Sequence, residues 1–420
     1  MPLNSVTLDG KCSTDPENNI TSYAWTKISG PTSLTIVNLT AVQTSVNNLA
    51  EGVYQFEFKV TDAGGLSSKD TMQVTVFPAE VCEPLTRPFV NISITPVATI
   101  PFPRIDMTAA AVGNKLVLAG GRLQIGYYPI DQVDIYDFST QIWSTANLSI
   151  GRGDMTSATA GNKVFFAGGD VPGYIGTKRV DIYDAGTNTW TSADPLDRSY
   201  FVSTATVGNK VFFAEEAKVN VYDITSNSWS VVTLSQARGF PSATAVGNKI
   251  YFAGGYGNNG ISPSGVIDIY DNTTGTWSAS TLSKPAVYMS SIFVNGKIYW
   301  AGGAINYDYV NDADIFTCKV EIRDVNTQST SITHLSSPAF YHFNAAKATI
   351  YNGKIIFTRV FKPELSFDIY DPQSNSWSIG KFPPNVVLES IMVVNNTLYA
   401  IGNGSGNANG LSDKVWKLDF

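Results

Sequence analysis

Val246-Gly247-Asn248-Lys249-Ile250-Tyr251-Phe252-Ala253-Gly254-Gly255 recurs, with variations, through most of a chain of 420 residues. Gly113-Asn114-Lys115 and Gly161-Asn162-Lys163 each open an apolar run that ends in Ala-Gly-Gly, and Gly296-Lys297 does the same. Gly208-Asn209-Lys210 leads to Ala-Glu-Glu, Gly353-Lys354 to Thr-Arg-Val and Asn396-Thr397 to Ile-Gly-Asn. Aligned on the Lys115 position, the copies fall at 115, 163, 210, 249, 297, 354 and 397, with spacings of 48, 47, 39, 48, 57 and 43. A period of this size marks an array of small β units, each burying its faces against its neighbours.

A second landmark follows in register. Val133-Asp134-Ile135-Tyr136-Asp137 is followed by Trp143, and the same six-residue offset links Asp184 to Trp190, Asp223 to Trp229, Asp271 to Trp277 and Asp371 to Trp377. The fifth copy keeps Asp324 but has Thr330 in place of Trp. The pattern predicts two antiparallel strands around a tight turn, with the Asp carboxylate bonding the turn backbone. Asn188, Asn227, Gly275 and Asn375 stand where a left-handed residue is needed. Each unit then has four strands: a small-residue strand, the Ile-Tyr-Phe-Ala strand, the Ile-Tyr-Asp strand and the Trp strand.

These marks resemble the kelch repeat over about residues 89 to 420. That resemblance implies an all-β, seven-bladed kelch-type β-propeller of the galactose-oxidase central-domain type. The last copy stops one strand short, so residues 90–97 are expected to pair with 415–420 and close the ring without an open edge.

Residues 1–78 read as a separate module of short, turn-punctuated strands. Tyr23-Ala24-Trp25 and Val60-Thr61-Asp62-Ala63-Gly64-Gly65 resemble the PKD domain, an Ig-like β-sandwich whose first strand is missing before Met1. Residues 79–88 read as a Pro-containing linker. The resemblance implies a spacer or binding module of a bacterial surface or secreted protein, within a longer multidomain chain.

A net charge of −7 argues against nucleic acid, and no apolar run is long enough to span a membrane. The three cysteines, Cys12, Cys82 and Cys318, leave a Cys12–Cys82 bridge open in an extracellular setting. Loop 306–314 and Asp15-Pro16-Glu17-Asn18-Asn19 are oxygen-rich, so calcium is weighed against a plain solvated loop, which is the default. No metal, cofactor or catalytic residue is assigned.

The connections between blades and the loops between the second and third strands share one face. Arg104, Arg152 and Arg238 lie eleven residues before the repeat Lys, and Arg198 twelve. Peptide-binding kelch propellers use arginines here, so the resemblance implies ligand contacts, against the alternative that each Arg pairs with a nearby Asp and braces the ring. Asp106, Asp154, Tyr200, Phe240, Tyr288, Tyr341, His342 and Glu389 complete the expected ligand face. Such a lining suits a protein or glycan ligand. The favoured expectation is a non-catalytic extracellular binding or adhesion protein. The alternative is a kelch-type carbohydrate-active enzyme. Asp106, Asp154 and Glu389 would serve if it resembles the sialic acid mutarotases, and Tyr341-His342 if it resembles the copper radical oxidases.

Overall fold

In the computed structural model, the described residues are 5–76, 82, 86–123, 128–173, 175–197, 202–257, 262–308, 313–338, 348–358, 366–383, 386–403 and 411–420. Among them every regular element is a strand, and no helix is long and apolar enough to cross a membrane. The chain divides into two compact units, Met1–Val81 and Cys82–Phe420.

The first unit pairs two three-stranded sheets. Val6–Asp9 and Thr35–Ile36 flank Gln43–Asn47 in one, and Ile20–Ser29 and Ser67–Val76 flank Gly52–Asp62 in the other. Alternate residues Tyr54, Phe56 and Phe58 are buried, as period-two alternation requires of a sheet with one wet face. Trp25 stacks on Phe58 at 4.1 Å, and its indole nitrogen donates to the Ala41 carbonyl at 2.9 Å, so its one polar atom is satisfied. The Asp15 carboxylate caps its own loop, accepting from the amides of Glu17 and Asn19 at 3.0 and 3.2 Å.

The second unit holds seven sheets of four or five strands among the described residues, in chain order around a ring. Inner strands are small because they converge on the axis. Thr108–Val112 touches Thr156–Ala160, and contacts continue through Ser203–Val207 and Ser242–Val246 to Ser290–Val294. The Ala348 amide donates to Ser290 Oγ at 2.7 Å, and Thr349–Tyr351 touches Val387–Val394, which returns to Thr108–Val112. Hydroxyls tie neighbours together: Ser157 and Thr159 donate to the Ala109 and Ala111 carbonyls at 3.1 and 3.0 Å, and Thr204 and Thr206 repeat this one blade on at 3.2 Å.

The Gly-Gly doublet exists for a steric reason. Gly120 and Gly121 have φ of 64° and 101°, and a Cβ on either would collide with the Arg152 or Ile105 carbonyl oxygen. The Gly121 amide then donates to the Arg152 carbonyl at 2.9 Å, welding blade one to blade two. At the other end of each blade, Asp137 Oδ1 accepts the amides of Ser139 and Thr140. Asp184, Asp223, Asp271, Asp324 and Asp371 repeat the turn, with Asn188, Asn227, Gly275 and Asn375, and also Gln141 and Gln328, left-handed. The carboxylates of these turns sit below their ordinary pKa, chiefly because backbone amides bond their charged form and, at Asp184, chiefly because Lys163 does.

The five repeat tryptophans pack against the cores from the rims of the blades. Trp143, Trp190, Trp229, Trp277 and Trp377 are half-buried on outer strands, each against the Tyr of its neighbouring strand at 4.7–4.9 Å. In blades one to four the outer strand has no further strand to cover its rim.

Ser93–Arg104 pairs antiparallel with Ser412–Asp419 and is the fourth strand of blade seven. The segment before it is no free linker. Phe89–Asn91 adds a parallel fifth strand to blade six beside Ser376–Lys381, and Cys82 is disulfide-bonded to Cys318 of blade five. Cys12 is free and exposed, so the Cys12–Cys82 alternative is overturned.

Candidate functional site

The repeated arginines point into the blades. Arg104, Arg152 and Arg238 are fully buried and pair with Asp134, Asp181 and Asp268 of their own third strands at 2.5, 2.5 and 2.6 Å. Their other Nη donors reach strand-end carbonyls, as where Arg152 Nη1 reaches Gly168 at 2.7 Å and Arg179 at 2.9 Å, while the Nε of Arg152 and of Arg238 is enclosed without a partner. Burial lowers the pKa of Arg152 to about 10, against the opposing pull of Asp181. The expected ligand contacts of Arg104, Arg152 and Arg238 are therefore corrected: these guanidiniums brace the blades and have no face left for a ligand. Arg198 and Tyr200 lie outside the described residues, as do Tyr341 and His342.

The residues two positions further on behave differently. Asp106, Asp154, Phe240 and Tyr288 have φ of 56°, 52°, 57° and 59°. A left-handed backbone is a strained choice for a bulky aromatic. It is produced by isolated backbone bridges that fold each entry loop against the residue after the doublet: Ile105 with Arg122, Gly153 with Asp170, Gly239 with Tyr256 and Val287 with Ala304. Two tiers of side chains result, and Arg122 and Tyr256 each meet first-tier residues of their own and the next blade.

In blades one and two the tiers are ionic. Arg122 bonds Asp106 at 2.7 Å, Asp154 at 2.8 Å and also Asp170. Burial works against the Arg122 charge, but the carboxylates outweigh it and raise its pKa. Asp154 is pushed up to about 6, first by burial and then by the charge of Asp106. From blade seven, Glu389 Oε1 accepts the Met107 amide at 2.9 Å. Its Oε2 is enclosed without a hydrogen-bond partner, and burial pushes this carboxyl up to about 8. In blades four and five the same tiers are aromatic. Phe240 meets Tyr288 edge-on at 4.9 Å and Tyr256 at 6.0 Å, and Tyr256 meets Tyr288 at 5.6 Å.

The structure thus brings Asp106, Asp154 and Glu389 together, and sets Phe240 beside Tyr288. Arg122 and Asp170 were not among the expected residues; their signal is the position directly after Gly-Gly, which also holds Tyr256. Inside the ring lies a cavity of about 360 Å³ lined by inner-strand residues including Met107, Ala109, Ser157, Ala348, Ser390 and Met392. No group of three or more metal-ligating side chains occurs among the described residues; residues 309–312 of the oxygen-rich loop fall outside them.

Residues 1–76 match the family model of the K319L-like PKD domain, and residues 103–147 and 237–280 match the Kelch motif. The chain therefore carries an N-terminal PKD domain followed by a kelch-type propeller. Human dyslexia-associated protein KIAA0319 is 41% identical over 81 residues, 19% of this chain and 8% of that protein. Human low-density lipoprotein receptor-related protein 11 is 35% identical over 79 residues, 19% of this chain and 16% of that protein. The match thus spans at most 16% of the length of these relatives. They are mammalian and lend no support to the bacterial source expected above. The solved structure of YjhT superposes with a TM-score of 0.50 at 13% identity, covering 67% of this chain and 98% of that one. At that identity the likeness concerns the fold alone.

Proposed function

We propose that this chain is an extracellular or cell-surface binding protein whose propeller mouth takes a carbohydrate, or a protein group of similar chemistry. The observation that carries the reading is the left-handed backbone at Asp106, Asp154, Phe240 and Tyr288. Four blades accept strain at the same place, two to present carboxylates and two to present rings. Carboxylates accept hydrogen bonds from paired hydroxyls, and aromatic faces stack on the apolar side of a sugar ring or a planar side chain. The Cys82–Cys318 bridge suits an oxidising compartment, and the PKD domain and its KIAA0319 relatives suggest the same setting. An array of glycans and peptides probed with the whole chain tests this. Binding should be concentrated on glycans and weakened at least tenfold by Asp154→Asn or Phe240→Gly; a chain that binds neither class, or whose hits ignore both substitutions, ends the proposal.

A carbohydrate-active enzyme is the second reading, favoured by one observation. Asp154 and Glu389, raised to about 6 and about 8, lie either side of neutral pH near one mouth, as a general base and general acid would. Exchange spectroscopy on reducing sugars, with and without the protein, decides it: faster anomer exchange that Glu389→Gln removes supports the enzyme. For copper oxidation the outlook is poorer. Cys318, bound to Cys82, is not available for a cross-link to tyrosine.

A further inference from the structure

In this ring the closing strand Ser93–Arg104 is held to Ser412–Asp419 by backbone pairing, side-chain packing and two side-chain hydrogen bonds, from Ser93 Oγ to the Asp419 carbonyl and from Lys414 Nζ to Thr99 Oγ1, both at 3.1 Å, none of them covalent. A pull on the chain upstream of Ser93 would load that edge one hydrogen bond at a time, the weakest way to load a strand pair. The segment that precedes it is anchored three times before the pull could arrive. Cys82 is bonded to Cys318, a fully buried residue of blade five. The Arg87 guanidinium bonds Asp368 at 3.0 Å and the His334 carbonyl, and lies 4.3 Å from the centre of the Trp377 ring. The Pro88 carbonyl accepts the Ile379 amide and the Ile92 amide donates to the Lys381 carbonyl, both at 2.9 Å, on either side of the Phe89–Asn91 strand.

We propose that Cys82, Arg87 and Phe89–Asn91 form a load-bearing strap that shields the propeller's closure from tension transmitted through the N-terminal unit. The strap crosses blade five, then blade six, and only then gives its chain to blade seven. The covalent anchor comes first, so force entering at Val81 passes into the buried core of blade five through Cys318. The closing strand carries none of it. Such a device fits a chain whose N-terminal unit and propeller are held by different partners, so that tension arises between them. It requires nothing of the mouth.

The test is single-molecule pulling on the full chain, with one handle at the N-terminus and the other on a click-reactive residue replacing Ser226. That residue lies in an exposed turn of blade three, so the C-terminal strand is not loaded directly. Unfolding of Met1–Val81 is a separate event of about 280 Å at an extended length of roughly 3.4 Å per residue. With the bridge intact, no shorter step should precede rupture of the blades. In the double variant C82S/C318S, a step of about 75 Å, the length of residues 83–104, should appear first and at lower force. If the double variant does not fold, reducing the folded wild-type chain in place by a phosphine gives the same comparison. Arg87→Gln with the bridge intact should show no such step. The proposal is overturned if the 75 Å step occurs in the oxidised wild type, or if it is missing once the bridge is removed.

Discussion

Blades one, two and four differ from blades three, five and six in how they treat one buried position. In the first group the third strand carries Asp134, Asp181 or Asp268, and each meets an arginine of its own repeat. Blade six keeps the carboxylate, Asp368, and receives Arg87 from the strap. Blade five has Glu321, held by Lys319 at 2.9 Å and by the Ser283 amide and hydroxyl at 2.9 and 2.6 Å. Blade three has the neutral Asn220, which donates to Glu215 Oε1 at 2.8 Å in place of the first glycine of the doublet. A carboxylate inside a blade is tolerated only when donors close around it, and the chain finds them wherever it can. The arginine is one solution among several, which is why it belongs to the blade and not to the ligand.

The largest effect is expected from isolating one of these carboxylates. Arg152→Met leaves Asp181 buried without its cation and should cost about 3–5 kcal/mol in denaturant unfolding. Adding Asp181→Leu should return much of that loss. If the double variant is as unstable as the single, packing and not charge governs the position. Next comes the borrowed pair. Arg87→Met should cost about 2–3 kcal/mol, since Asp368 keeps the Ser336 amide, and a double-mutant cycle with Asp368→Asn should return a coupling of about 1–3 kcal/mol. A coupling near zero would detach the strap from blade six.

Blade three should respond to pH through Glu215, alongside the raised carboxyls of Asp154 and Glu389. Burial pushes Glu215 up to about 7, so the folded chain keeps a proton that the unfolded chain has already lost. Its contribution is fully present below about pH 4.5 and is lost as pH rises through 7. Stability measured from pH 5 to 8 should fall with a slope that Glu215→Gln flattens; an unchanged slope would place the titration elsewhere, Glu389 first. The smallest effect is expected at the strained positions. Phe240→Gly relieves a left-handed backbone but loses ring packing, and should leave stability within about 1 kcal/mol. A loss above 3 kcal/mol would mean that the ring serves the core.

Sequence periodicity carried the ring, the Asp turns and the left-handed residue after them, because each is a local device repeated in register. The orientation of Arg104, Arg152 and Arg238 was not local. It depends on an Asp about 30 residues downstream, and the signal was present: Asp134 interrupts the otherwise apolar run Val133 to Tyr136, all of it buried. A charge inside a buried run needs a partner, and the arginine at constant offset was the partner available. Arg122 was missed because only blade one has a cation after its doublet. The Cys82–Cys318 bridge spans 236 residues, and no spacing rule reaches that far; only the folded ring brings blade five beside the start of the propeller.

The division of labour between neighbouring residues is tested most directly by ligand binding per folded molecule, measured side by side for Arg238→Met and Phe240→Gly on the strongest glycan or peptide hit. The two positions are two residues apart in one loop. The expected result is a destabilised Arg238→Met that binds like wild type once the folded fraction is counted, and a stable Phe240→Gly that has lost at least tenfold in affinity. The reverse pattern, with binding lost at Arg238 and kept at Phe240, would contradict the assignment of the arginine to the blade and the ring to the ligand.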